Sequence, residues 1–358
     1  MGTFWETGVY TIDISKLLPP SHNASTHSNI KISHLDSPKV THSNDDLTER
    51  AHTTTKTALT TIPRIRLGSD TNFEEVLRNR KPVIIEGLSL GHSVDTWTPE
   101  HMVQRLGAEK QVVVHECQMD TEKMDFNSKN FRYVTETVET FMAKASRGKR
   151  LYLRSLSEHK PSESPANITV DFPSLASECY LPEELRHVTE NLFSSVLRIS
   201  GQVNMWLHYD VMANVYAQIR GSKRMVLFPP TDVNHLAFAP GASSSSLDVF
   251  SALEKHQLTA AHPHDAVLGP GDILFLPPMW FHTATPTTDM SVAVNYFFRD
   301  LESGYSSGRD VYGNRDLAAY EKGRQDVARI TKSFDRVPSE IRQFYLARLA
   351  DELLHEHK

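Results

Sequence analysis

Cysteine is nearly missing from this chain: Cys117 and Cys179 are the only two in 358 residues. So few exclude a disulfide scaffold and a cysteine-rich zinc module. They point to a reducing, intracellular setting, and the cytoplasm is the expected compartment. Long hydrophobic runs are also missing. The nearest to one is Ile273 to Phe281, and Pro277-Pro278 interrupts it. A membrane span needs ~20 apolar residues, so none is expected. Arginine is absent before Arg50, and Glu6 and Asp13 break up the first segment. Neither a mitochondrial presequence nor a secretory signal is therefore expected. There is no excess of basic charge either: 38 Lys+Arg stand against 44 Asp+Glu, for a net charge of −6. That argues against a protein basic all over, but leaves room for a local basic groove.

What is present falls into three stretches. Residues 1–61 read as a poorly ordered tail and linker. Within it, Trp5, Val9, Tyr10, Ile12 and Ile14 give a short strand pattern, and residues 19–61 are dominated by Ser, Thr, His and Asn. The histidines there have no metal-site spacing and are read as solvated. Residues 62–300 read as the main domain. It opens with mixed elements: a helix from Phe73, a buried strand at Pro82–Glu86, and a helix started by Thr98-Pro99-Glu100 and stopped at Gly107. Val112–Val114, Leu151–Leu153 and Val196–Ile199 read as strands, and Glu136–Ala145 as a helix. From Val203 to Phe298, short β-rich runs alternate with turns at Arg220-Gly221-Ser222 and Gly269-Pro270-Gly271-Asp272. This spacing predicts an all-β sandwich or barrel. Residues 301–358 read as a helical extension of two amphipathic helices.

One constellation carries chemistry. His208-Tyr209-Asp210 is an H-x-D pair, and residues two apart on an extended segment face the same side. His282 follows at the end of a later β-rich run. Two histidines and one carboxylate with open positions left over make the facial triad of non-haem Fe(II) oxygenases. Such iron needs a chelating electron donor held at its far end. For 2-oxoglutarate the holder is a cation, and Lys223 is the candidate. If Gly221-Ser222 is a two-residue hairpin loop, Arg220 pairs with Lys223, and Asn214, Tyr216 and Gln218 share its face. Asn214 has the parity of His208 and Asp210 if the strand runs unbroken through Val211. A flat hairpin would leave Lys223 too far from Asp210, so curvature or a bend at Val211–Ala213 is required.

Several blocks resemble the JmjC/cupin 2-oxoglutarate oxygenases. These are His208-Tyr-Asp210, Gln218-Ile-Arg-Gly-Ser-Lys223-Arg-Met-Val-Leu-Phe-Pro-Pro230, Gly269-Pro-Gly-Asp272 and Pro277-Pro-Met-Trp-Phe-His282. The chain is most similar to the JmjC proteins of wybutosine synthesis, which modify the guanosine beside the anticodon of phenylalanine tRNA. Met124–Phe131, Tyr152–Leu156, Phe193–Ser200, Trp206–Met212 and Val311–Arg315 carry that closer likeness. It spans roughly 62–350.

The resemblance implies a mainly β fold, a double-stranded β-helix (jelly-roll, cupin) with N-terminal α/β additions and C-terminal helices. It implies that His208, Asp210 and His282 hold Fe(II) and are catalytic. Lys223 would pair with the distal carboxylate of 2-oxoglutarate, with Tyr152, Asn214 and Asn295 as further polar contacts and O2 as the oxidant. Met205 stands where some relatives place Thr. The implied activity is hydroxylation of the wybutosine base. A sibling reading is the JmjC module of a larger wybutosine-synthesising protein that completes the base's side chain. Two further readings are a JmjC protein hydroxylase and a non-enzymatic tRNA-binding scaffold.

Between residues 129 and 160, Lys129, Arg132, Lys144, Arg147, Lys149, Arg150, Arg154 and Lys160 stand against Glu136, Glu139 and Glu158. Lys144, Arg147, Lys149, Arg150 and Arg154 are the candidates for contact with tRNA phosphates. A flipped base needs an aromatic wall, and Phe126, Phe131, Tyr133 and Trp206 are available. In related JmjC hydroxylases the C-terminal helices form a dimer interface, so a homodimer is expected. His262-Pro-His264-Asp265 is a second histidine cluster, read as a loop rather than a metal site.

Overall fold

The computed structural model describes residues 58–68, 71–117, 123–306, 311–313 and 315–355. The compact unit to which they belong is Thr55–Lys358. The strand pattern expected at 1–14 and nearly all of the linker lie outside the described residues.

Among the described residues, fifteen strands run in chain order: β1 (Thr60–Thr61), β2 (Arg64–Ile65), β3 (Val83–Ile85), β4 (Gln111–Cys117), β5 (Phe131–Thr137), β6 (Leu151–Arg154), β7 (Leu192–Ser200), β8 (Leu207–His208), β9 (Ala213–Arg220), β10 (Lys223–Phe228), β11 (Ser244–Ser245), β12 (His264–Leu268), β13 (Ile273–Leu276), β14 (Phe281–Pro286) and β15 (Ser291–Phe298). They form two sheets. One has the order β1-β12-β10-β14-β8-β11, the other β2-β3-β13-β9-β15-β7-β6-β4-β5. From β7 to β10, and again from β12 to β15, consecutive strands alternate between the sheets, as in a double-stranded β-helix. Regular structure begins slightly before Ile62, because Thr60 and Thr61 pair in parallel with His264 and Asp265.

Side-chain parity explains how the larger sheet serves two cores. Leu151, Leu153, Leu197, Ile199, Val215, Ala217, Val292 and Val294 face the first, where they meet Phe73, Met102 and Phe141 from the helices Phe73–Asn79, Pro99–Leu106 and Val138–Ala145, and Trp97, which caps the short helix Ser93–Thr96. Trp97 is fully buried. Burying a side chain of this kind stabilises the fold by roughly 1.5–3 kcal/mol. Tyr152, Tyr216, Leu274, Leu276 and Ala293 face the other way, towards Met225, Leu227, Ala266, Leu268 and Ala284 of the smaller sheet. The space between the sheets therefore holds an apolar core interrupted by polar groups.

Local signals place the helices. Thr98 accepts a hydrogen bond from the amide of His101, with Pro99 in the first turn and Gly107 at the end. The helix expected from Glu136 starts later, at Val138, because Phe131–Thr137 is strand and Thr137 caps the helix through the amide of Thr140.

Two expectations about connectivity are corrected. Gly221-Ser222 is not a hairpin loop. β9 pairs with β13 and β15, whereas β10 pairs with β12 and β14. The turn is a corner that carries the chain from one sheet to the other. Gly221 has φ +65, and a Cβ there would sit 2.1 Å from the carbonyl oxygen of Met290. The buried amide of Gln218 braces the corner, donating to the carbonyls of Arg220 (2.7 Å) and Gly221 (3.1 Å). Nor does a strand run unbroken through Val211: β8 and β9 lie in different sheets, and Asp210 stands between them.

The C-terminal helices Ala318–Ser333 and Ser339–His355 bury no residue. Ile341, Phe344, Tyr345, Leu353 and Leu354 are exposed.

Candidate metal centre and cosubstrate pocket

β8 and β14 pair antiparallel, with His208 opposite His282. Their ring centroids are 4.2 Å apart. Each ring is oriented by a backbone carbonyl two residues earlier: Nδ1 of His208 lies 3.0 Å from the Trp206 oxygen, and Nδ1 of His282 lies 3.1 Å from that of Trp280. Both Nδ1 atoms therefore carry the proton, which leaves each Nε2 as a lone-pair donor. Asp210 follows β8, and its carbonyl accepts from the amide of Met279 at 2.9 Å. Its Oδ2 lies 3.6 Å from Nε2 of His282. One ligand atom from each of the three residues lies within 4.8 Å of the others. Among the described residues this is the one such cluster of three or more. Burial, reinforced by the neighbouring His282, pushes the His208 imidazole down to about 3. It is therefore neutral at physiological pH, as a metal ligand must be.

Both sheets contribute to the cavity beside this cluster. Lys223, Met225, Ala284 and His282 line it from one side, and Tyr152, Arg198, Tyr216, Leu276 and Asn295 from the other. Lys223 is 4 % exposed. The sheet-to-sheet corner supplies the displacement that a flat hairpin lacked: it turns Lys223 inward, with Met225 and Leu227 on the same face. Burial, and then the charge of Arg198, push its ammonium down to about 7. Tyr152 accepts a hydrogen bond from Nη1 of Arg198. Asn295 donates to Asn214 at 3.1 Å, which leaves Asn214 Nδ2, Asn295 Oδ1 and Arg198 Nε buried without partners. Orphaned polar groups in and beside this cavity fit a polar ligand.

Arg198 is the pocket residue the sequence reading passed over. Its signal was there: a charge inside the apolar strand Val196-Leu197-Arg198-Ile199, where β parity turns Val196 and Arg198 away from Leu197 and Ile199.

The basic candidates separate. Lys144 is ion-paired with Glu136. Arg147 and Lys149 are exposed and Arg150 is half-buried. Arg154 belongs elsewhere: it shares a face of β6 with Tyr152 and pairs in register with Arg198. The expected aromatic residues do gather. Trp206 lies 5.8 Å from His208 and 5.2 Å from Phe126, and it stacks on Phe131 at 6.5 Å with 13° between the planes. Tyr133 is 57 % exposed and packs 4.7 Å from His115. In the second histidine cluster, His262 pairs with buried Asp232 and His264 packs edge-on to Trp280.

A model of the cupin-like domain matches residues 69–304. The chain belongs to the cupin-like domain family. Its relatives narrow the kind of cupin-like domain. It is 65 % identical over 362 residues to the tRNA wybutosine-synthesizing protein 4 of Gibberella zeae, covering 99 % of this chain and 35 % of that protein. It is 50 % identical to the protein of the same name from Neurospora crassa, covering 31 % of it. The tRNA wybutosine-synthesizing protein 5 of Mus musculus is 36 % identical over 298 residues, and the match covers 92 % of that protein. The chain thus spans about a third of the length of the first curated relatives it matches. No described helix is long and apolar enough to cross a membrane.

Proposed function

We propose that this cupin-like domain is an Fe(II)- and 2-oxoglutarate-dependent hydroxylase that acts on the wybutosine base of phenylalanine tRNA. One observation carries the reading: two histidines and a carboxylate converge beside a pocket that holds a buried lysine. His208, Asp210 and His282 would hold the iron through Nε2, a carboxylate oxygen and Nε2, respectively. Bound there with 2-oxoglutarate and O2, the metal supplies the oxidising power for C–H hydroxylation. The chain's own residues do the rest. Lys223 neutralises the distal carboxylate of the cosubstrate. Tyr152, Asn214 and Asn295 offer polar contacts, with the unpaired Asn214 Nδ2 and Asn295 Oδ1 as the atoms to be satisfied. Leu276, Met225 and Ala284 keep water from the pocket.

The aromatic cluster from His208 outward supports a planar substrate. Trp206, Phe126, Phe131 and Tyr133 present faces on which a flipped base stacks, each such contact contributing ~1–3 kcal/mol. Arg147, Lys149 and Arg150 would contact phosphates, a role that the exposure of Arg147 and Lys149 supports. The exposed apolar residues of the two C-terminal helices support a homodimer formed through residues 301–358.

A second reading rests on length. The relatives named protein 4 are about three times longer than the region matched. That favours a module within a larger wybutosine-synthesising protein, serving completion of the base's side chain. The test is the full gene product, supplied with Fe(II), 2-oxoglutarate and precursor tRNA, followed by mass analysis of the nucleosides. A gain of one oxygen supports the hydroxylase. Side-chain change without that gain supports the module. Oxidation of a protein instead makes it a protein hydroxylase, and no metal binding leaves a scaffold.

A further inference from the structure

Arg154 and Arg198 are direct register partners on the antiparallel strands β6 and β7. Like charges placed opposite one another on a sheet repel. Among the described residues, no carboxylate lies within ion-pair distance of either. Arg198 donates to the Tyr152 hydroxyl, and its Nε is buried without a partner. Arg154 stacks on the ring of Tyr312 at 4.7 Å. Asp210 is the carboxylate whose field reaches both. The charge of Arg198 also reaches Lys223, so the pair adds to the positive potential of the pocket.

The two arginines differ in position. Arg198 lines the cavity with Lys223 and His282, whereas Arg154 stands beside it on the next strand, outside that lining. On the following strand, His115 is the partner of Tyr152 and packs against Phe131 and Tyr133. Burial pushes its imidazole down to about 4, so it adds no charge of its own. An uncompensated guanidinium pair is thus bordered by aromatic faces on one side and the metal cluster on the other.

We propose that Arg154 and Arg198 form an anion subsite beside the cosubstrate pocket, which takes a carboxylate or phosphate carried by the substrate itself. Two planar forks side by side suit such an oxyanion, which would relieve their mutual repulsion. This rests on the reading of the cavity as the cosubstrate's place. It adds that Arg154 serves the substrate rather than an exposed RNA-binding rim.

The test is calorimetry on the full chain, loaded with Mn(II) and saturated with 2-oxoglutarate, using inorganic phosphate and acetate as probes. Arg154→Gln weakens the bound probe about tenfold or more, and Arg154→Lys, which lacks the fork, by about threefold. The Kd for 2-oxoglutarate stays within about twofold in both. Preference for phosphate assigns the subsite to the RNA backbone; preference for acetate assigns it to a carboxylate on the base. Three results overturn the proposal: neither probe binds, Arg154→Gln binds it as the parent does, or 2-oxoglutarate affinity falls in step. If the Gln variant does not fold, the Lys variant decides, since unchanged affinity there also overturns it. Failure of tRNA to bind at all, with the probes still held through Arg154, would remove the functional reading and leave the subsite standing.

Discussion

His208 and His282 face one another across β8 and β14 as register partners, with 4.2 Å between their ring centroids. The carboxylate of Asp210 joins them, with Oδ2 3.6 Å from Nε2 of His282. Both rings are oriented by main-chain carbonyls, so the cluster is organised before any ligand arrives.

Metal binding follows from that preorganisation. The parent chain takes up one Fe(II), and His208→Ala or Asp210→Ala lowers occupancy below a tenth of it under the same conditions. Metal analysis after gel filtration checks this. Because only the folded state holds the site, metal at about a hundred times its Kd stabilises the domain by ~2.7 kcal/mol, and a chelator removes that gain.

Lys223 predicts a pH dependence. Its folded pKa, about 7, lies below the unfolded value near ~10.4. The unfolded chain therefore binds the extra proton between those values. The cost of burying this lysine is full below about pH 7 and is relieved as the pH rises through that window towards 10. Binding of 2-oxoglutarate behaves oppositely, since the carboxylate needs the charged ammonium. Its Kd weakens as pH rises above about 7, and Lys223→Met abolishes the slope while weakening binding at pH 6.5. Titrations across pH 6–9 measure both.

Tyr152→Phe removes the acceptor for Arg198 and one polar contact to the cosubstrate. The expected loss is ~1 kcal/mol, about fivefold in 2-oxoglutarate affinity, with a fall of ~1–3 kcal/mol in stability from the buried guanidinium donor left unpaired.

Gly221→Ala tests the corner. The new Cβ meets the Met290 carbonyl in a left-handed conformation. Destabilisation of at least ~2 kcal/mol is expected by urea unfolding. Gly271→Ala, also at positive φ but with open space around it, costs less.

The C-terminal helices supply a prediction on assembly. Phe344→Asp with Tyr345→Asp converts a dimer to a monomer by sedimentation, without changing the fold of the barrel. A parent chain that sediments as a monomer contradicts the proposed interface.

Much of this was legible in the residues. The convergence of His208, Asp210 and His282 was readable because they are polar groups beside apolar β-runs. The helix at Pro99 was readable because its cap, first turn and stop are all local. The corner at Gly221 was not, because a tight turn reads the same whether the next strand returns beside the last or crosses to another sheet. The partners that decide it, β12 and β14, come much later in the chain. The H-x-D pair converges for a different reason from the expected one: Asp210 lies past the end of β8 and is held by the Met279 amide. Arg154 was grouped with a surface stretch because neighbours in sequence share its charge. Strand parity instead turns it to the face of Tyr152, which no charge count reveals.

The most direct measurement is succinate formation from 2-oxoglutarate under Fe(II) and air, with precursor phenylalanine tRNA and mass analysis of its nucleosides. A wybutosine-type nucleoside heavier by one oxygen, formed with matching succinate and absent with His208→Ala, is the predicted result. Iron and 2-oxoglutarate bound normally, but with no oxygen gained by any nucleoside, would contradict the account.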